Sequence, residues 1–144
     1  MARFENSDVS FDVPSDWQDK TIVAFAAPVP AGKQSTATVV MTKEPVRQGE
    51  TLSRYADRQL VELAKKLPGF ELTDRKDAAT GGQPVVELSF SWKGGAGWVD
   101  QRMIIGVTKQ GIALNLAATT PRADTAKYAA TFDRIFSSVK LDGG

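Results

Sequence analysis

The stretch from Val85 to Thr120 constrains the fold more than any other. It reads VVELSFSW, KGGAG, WVDQRMIIGVT, KQG, IALNLAATT. Three segments of β-branched and aromatic residues are separated by short glycine-containing turns. Connections this short leave no room for a parallel crossover, so consecutive strands must run antiparallel. Whatever else the chain does, it builds a meander first.

The rest of the sequence adds strands and two helices around that meander. VSFDVP alternates and stops at Pro14, TIVAFAAP is a short apolar run closed by Pro28, and TATVVMT is β-branched. PVPAGKQS reads as a loop and EPVRQGE as a turn-rich connection. FELTDRKDA precedes a turn at TGGQP. A helix is predicted over Leu52–Leu67, with Thr51 as N-cap and Pro68-Gly69 as the stop. A closing helix starts near Pro121 or Asp124, with Tyr128, Phe132, Ile135, Phe136 and Val139 on its apolar face. The last residues, LDGG, read as loose. These elements predict one α+β domain over residues 1–144, a largely antiparallel sheet with two helices packed on it.

An antiparallel sheet with one wet face alternates apolar and polar residues. Several strands here do not. In TIVAFAA, Ile22, Ala24 and Ala26 share one face while Val23 and Phe25 share the other. In QRMIIGV, Met103 and Ile105 oppose Ile104. Such a sheet either carries helices on both sides or leaves a sticky surface. Two helices cover two faces only in part, which points to a binding groove as well as to plain double coverage.

Composition removes most chemistry. The chain has no histidine and no cysteine, so it lacks the commonest general base, the commonest metal ligand and any thiolate nucleophile. Neither KGGAG nor TGGQP has a phosphate-loop pattern or opens a helix. The nearest carboxylate pairs, Asp16 with Asp19 and Glu87 with Asp100, form no metal or glycosidase arrangement. We therefore expect no enzyme, no cofactor and no metal. Lys and Arg total 18 against 17 for Asp and Glu, a balance that predicts no nucleic-acid footprint. No run approaches the roughly 18 apolar residues of a spanning helix, so no direct membrane insertion is expected. The N-terminal MARFENSDVSFDV has no apolar export segment and no lipid-attachment cysteine, from which we expect a cytoplasmic protein.

Two glutamines interrupt apolar surfaces. Gln59 falls inside the helix stripe, between Tyr55 and Leu63. Gln101 shares a strand face with Val99, Met103 and Ile105. The plain reading of each is a buried amide bonded to a neighbouring backbone group, and for Gln101 also a strand start that is still exposed. The other is an amide that meets a partner.

The order WQDKTI, YADRQL, LPGFEL, Trp92, Gln101, TTP resembles the DcrB-like family, and within it the Eag (effector-associated gene) chaperones of bacterial type VI secretion. The densest matches are VPSDWQDKTI at 13–22, YADRQL at 55–60 and LPGFEL at 67–72. The resemblance runs over nearly the whole chain and contains no catalytic motif. It implies a PsbP-like fold with a twisted antiparallel sheet and a concave apolar face, usually in a homodimer. It also implies a groove that shields the transmembrane helices near the N-terminus of a PAAR-containing effector and aids the effector's loading onto the VgrG spike. By the family pattern, the groove residues fall on Ile22, Ala24, Val40, Gln59 and Gln101, and Met103 beside Gln101 completes the candidate set. Ala24 is smaller than the aliphatic residue expected there. The second reading the resemblance leaves open is a DcrB-like envelope or regulatory binding protein with no helix client.

Physically, a groove for a membrane helix must imitate other membrane helices, which pack through small residues and interhelical hydrogen bonds of about 1 kcal/mol each. A glutamine in an oily wall supplies such bonds.

Overall fold

The computed structural model of the chain describes residues 1–29 and 37–143. Most of the loop predicted over PVPAGKQS lies outside the described residues. The described residues form eight strands: β1 (Ala2–Glu5), β2 (Ser10–Val13), β3 (Val23–Ala26), β4 (Thr38–Pro45), β5 (Glu71–Thr80), β6 (Gln83–Gly94), β7 (Gly97–Val107) and β8 (Ile112–Pro121). Two α-helices join them, α1 (Leu52–Lys66) and α2 (Thr125–Ser137).

The meander forms as the turns require. β5 through β8 pair in sequence order, every pair antiparallel. The KQG turn closes with Gly111 N donating to Thr108 O at 3.0 Å, and Gly111 has φ +79°, a conformation that favours glycine. β4 then pairs with β8, and β3 with β4, giving a six-stranded sheet in the order β3-β4-β8-β7-β6-β5.

α1 is fixed at both ends by its sequence. Thr51 Oγ1 accepts from Arg54 N at 3.2 Å, and Lys65 and Lys66 sit in the last turn against the negative end of the helix dipole. Its stripe places Tyr55 and Ala56 against Val86, Leu88, Phe90, Met103 and Ile105 on one face of the sheet. α2 places Phe132 and Phe136 against Val85, Ile104 and Ala118 on the other. This is why β6 and β7 carry apolar residues at successive positions: each parity feeds a different helix. Full burial of a Leu or Phe side chain, such as Leu88 or Phe90, stabilises the fold by about 1.5–3 kcal/mol.

Two regions depart from the sequence reading. The first strand was not anticipated. β1 pairs with β2 as a separate two-stranded sheet, turned at Asn6, whose Oδ1 accepts from Asp8 N and Val9 N at 2.9 Å each. ENSD is thus an Asx turn, and Phe4 stacks near Phe11 with ring centroids 5.0 Å apart.

The chain end also departs. Within LDGG, whose last glycine lies outside the described residues, Leu141 is not loose: it is 6% exposed and belongs to the α2-side core. It docks over Gly106, where a Cβ would lie 2.8 Å from Leu141 Cδ1. Lys109 N donates to Asp142 Oδ1 at 3.0 Å, which holds the tail in place.

Candidate functional site

Strand register decides which side chains meet on a sheet face, because residues directly opposite each other point the same way. Ala24 faces Val40, Val40 faces Ala117, Ala117 faces Met103, and Met103 faces Leu88. One step along, Ala26 faces Thr38, Thr38 faces Thr119, and Thr119 faces Gln101. These two rungs lie on the α1 side, since Met103 and Leu88 belong to the core beneath α1.

The helix does not cover the whole rung. α1 lies chiefly over β6 and β7, and the β3–β4–β8 end of the same face stays open. Ala24 and Ala26 are exposed, and Val40, Ala117, Thr38 and Thr119 are half-buried. The result is a trough beside α1 whose floor is alanine, valine and threonine. Three strands at about 4.8 Å spacing make it about 10 Å wide, the diameter of one α-helix. β3 pairs with β4 only over Thr38–Met41, so the three-strand floor runs about 13 Å, between two and three turns of a helix.

Gln101 continues the Thr38–Thr119 rung, whereas Gln59 stands over the other end of β4, beside Glu44 and Asn115; among the described residues neither bonds to a backbone group. Gln59 Nε2 donates to Glu44 Oε1 at 3.0 Å. The same oxygen accepts from the Tyr55 hydroxyl at 2.8 Å, and Tyr55 in turn accepts from Asn115 Nδ2 at 2.7 Å. Burial pushes the Tyr55 phenol well above its ordinary range, so it stays a donor to Glu44. Gln101 Oε1 accepts from the Trp92 indole at 3.1 Å. The half-buried Trp92 packs against the core beneath α1.

The six candidate residues are not equivalent. Ala24 and Val40 share a rung, Gln101 lies on the adjacent one, and Gln59 stands over Glu44 farther along β4. Met103 shares the rung but is 7% exposed, packed beneath α1. It is a core residue that supports the floor, not a contact surface, because α1 lies over its strand. Ile22 stands just before β3 and is 66% exposed. It also lines a separate apolar cleft of about 450 Å³ with Phe4, Phe11, Val13 and Trp17. No single cavity among the described residues holds all six. The sequence reading missed Ala117, Thr38 and Thr119 on the floor, and Glu44 and Trp92 as the amides' partners. The alternation of β4 and β8 held the floor signal, but only register joins those strands.

Three of the carboxylates picked out in the sequence, Asp19, Glu87 and Asp100, are held by nearby groups. Asp19 pairs with Lys43 at 2.7 Å, and that bond, with help from Thr21, brings its pKa down to about 2. Glu87 pairs with Lys76 at 3.2 Å. At Asp100, burial acts to raise the pKa, but hydrogen bonds from Thr125, Ser91 and Arg122 outweigh it and the net shift is downward. Among the described residues no group of three or more acidic side chains could hold a metal ion, and no helix is long and apolar enough to cross a membrane.

Among known protein families, this α+β chain matches DcrB. The family's sequence profile matches residues 8–138, and the chain belongs to that family. Among its relatives is Effector EagT6 of Pseudomonas aeruginosa strain PAO1, 26% identical over 121 residues, covering 84% of this chain and 83% of the relative. The crystal structure of PA94, a Pseudomonas aeruginosa protein of unknown function, superposes with a TM-score of 0.81 at 23% identity, covering 97% of this chain and 96% of that one. The fold is PsbP-like: the solution structure of cyanobacterial PsbP (CyanoP) from Synechocystis sp. PCC 6803 gives a TM-score of 0.61 at 12% identity, covering 97% and 91%.

Proposed function

We propose that this chain is a type VI secretion chaperone that shields the N-terminal transmembrane helices of a PAAR-containing effector and presents the effector for loading onto the VgrG spike. The observation that carries the reading is the open rung of Ala24, Val40 and Ala117 beside α1, as wide as one helix. Small residues let a client backbone approach closely, and the bordering amides supply the hydrogen bonds that membrane helices otherwise exchange with one another. The relationship to EagT6 supports the same role. Apolar burial contributes about 25 cal/mol per Å² before association costs. The work is binding rather than catalysis and takes place in the cytoplasm, before export.

The chaperone acts as a homodimer in this reading. Phe25 is 70% exposed and the outer edge of β3 carries no strand among the described residues, surfaces that a second copy would cover.

Co-expression with the N-terminal helical segment of a PAAR effector tests the proposal. The segment should stay soluble and co-purify with the chain. Ala24→Asp should abolish co-purification and leave a folded protein, because Ala24 is exposed on the trough floor and contributes little to the core. A segment that stays equally soluble without the chain would contradict a shielding role.

A further inference from the structure

The N-terminal hairpin has two unlike faces. Directly opposed residues point the same way, so Phe4 with Phe11 and Ala2 with Val13 form one face, and Arg3 with Asp12 and Glu5 with Ser10 form the other. The second face is bonded within itself: Arg3 donates to Asp12 Oδ1 at 2.9 Å and to Ser10 Oγ at 2.6 Å. The first is apolar and open. Phe4 and Phe11 pack on each other, yet Phe11 remains 48% exposed. The hairpin pairs with no other strand among the described residues, and a lone two-stranded hairpin is marginal in water. Its apolar face gains from being covered.

That face lines one side of the 450 Å³ cleft, and Trp17 and Ile22 line the other. The volume falls within the range of ligand pockets, roughly 300–1,000 Å³. Trp17 is 68% exposed, although its backbone is fixed in a turn by the bond from its N to Pro14 O at 3.1 Å. The Trp17–Ile22 segment is tied to the sheet through Asp19, which pairs with Lys43 of β4 at 2.7 Å. The cleft is therefore formed before anything enters it. Ile22 stands two residues before Ala24, and strand alternation puts both on one face. The same side chain thus ends the trough floor and begins the cleft.

Aromatic walls favour an aromatic guest, through offset and edge-to-face ring contacts. Arg3, Gln18 and Lys20 share the lining, which suits a guest with an apolar body and a polar tip. Membrane helices carry such residues, tryptophan and tyrosine, at their ends, where hydrocarbon meets water. We propose that the cleft between the β1–β2 hairpin and Trp17 is a second subsite, which takes a tryptophan or tyrosine flanking the client's apolar helix. The chain then reads the end of the helix as well as its body. This rests on the trough being the client site.

The test uses Leu/Ala helical peptides of about 20 residues. Each carries one tryptophan, scanned over the positions near either end, with leucine at the same position as its control. Methyl NMR follows the binding: Val13 reports on the cleft, Ala24 and Val40 on the trough. At the best position the tryptophan peptide should bind several-fold tighter than its control and shift Val13 together with Ala24 and Val40. Trp17→Ala should abolish that advantage and leave the affinity of the leucine peptide unchanged. Trp17 is exposed, so the variant keeps the fold, and Phe11→Ala on the opposite wall should give the same loss.

A tryptophan peptide no tighter than its control at every position overturns the inference and leaves the trough reading standing. An advantage that survives both substitutions does the same. Val13 shifts with Ala24 and Val40 silent would separate the cleft from the trough and overturn the inference. Val13 shifts that follow protein concentration alone would give the cleft to a second copy of the chain and overturn it too. No binding of either peptide overturns the trough reading and this inference with it.

Discussion

At the residue scale, the polar chain from Asn115 through Tyr55 to Glu44 and Gln59 is the most consequential feature. Asn115 is 7% exposed and its Oδ1 finds no hydrogen-bond partner among protein groups. Its other end depends on the Tyr55 hydroxyl. Tyr55→Phe removes the link in the middle, leaves a buried amide with neither end bonded, and should cost about 1–3 kcal/mol in urea unfolding. An unchanged stability would mean that the network contributes little to folding. Gln59→Leu is different, because Gln59 is half-buried and leucine suits an oily wall. Unfolding should change by less than about 1.5 kcal/mol, while affinity for an apolar helical peptide drops several-fold. A larger loss of stability with binding intact would make Gln59 a core residue. That Gln59 is anomalous was legible from helical periodicity alone. Its partner was not, because Glu44 precedes Pro45 and read as part of a turn, whereas β4 runs on through both. Met103 shows the converse: alternation put it on the right face, but nothing in the strand's own sequence says where α1 lies across the sheet.

At the scale of elements, the meander and both helices follow from turn chemistry and periodicity, and the regions the sequence misjudged are those held by distant contacts. The tail around Leu141 offers no local pattern. One leucine among aspartate and glycine looks disordered until Gly106, on another strand, leaves space for it. Leu141→Ala should therefore lower stability by about 2–4 kcal/mol, as a core truncation does, with the loss read from thermal melting. A melting temperature within a degree of the parent would return the tail to the surface. The β1–β2 hairpin is the opposite case. Its turn was written plainly in ENSD, but β1 is four residues long and only Phe4 is even half-buried, so no apolar alternation marked it. The two-faced apolar pattern of β3 was also legible: α2 reaches one side only in part, leaving Phe25 70% exposed, and the trough opens on the other.

For the whole molecule, pH should matter only on the acid side. The Lys43 bond to Asp19 and the Arg58 bonds to Glu50 lower both carboxyls to about 2, from ordinary values of 3.8 and 4.5. The unfolded chain takes up these protons before the folded one does. The stabilisation is complete above about pH 5 and is lost as the pH falls from about 4.5 toward 2. There is no histidine to add a step between pH 5 and 8. Melting temperatures should match at pH 7 and 5 and drop by pH 3. A melting temperature unchanged at pH 3 would show that these ion pairs add nothing to folding.

The central claim is that a single apolar helix lies in the trough beside α1, and methyl-resolved NMR tests it most directly. The chain, labelled at alanine, valine and threonine methyls, is titrated with a Leu/Ala helical peptide of about 20 residues. The account predicts saturable shifts at Ala24, Val40, Ala117 and Thr119, with Val85 and Ala118 on the α2 side unmoved. Shifts confined to the α2 side or to Val13 in the cleft by Trp17, with Ala24 and Val40 silent, would contradict it.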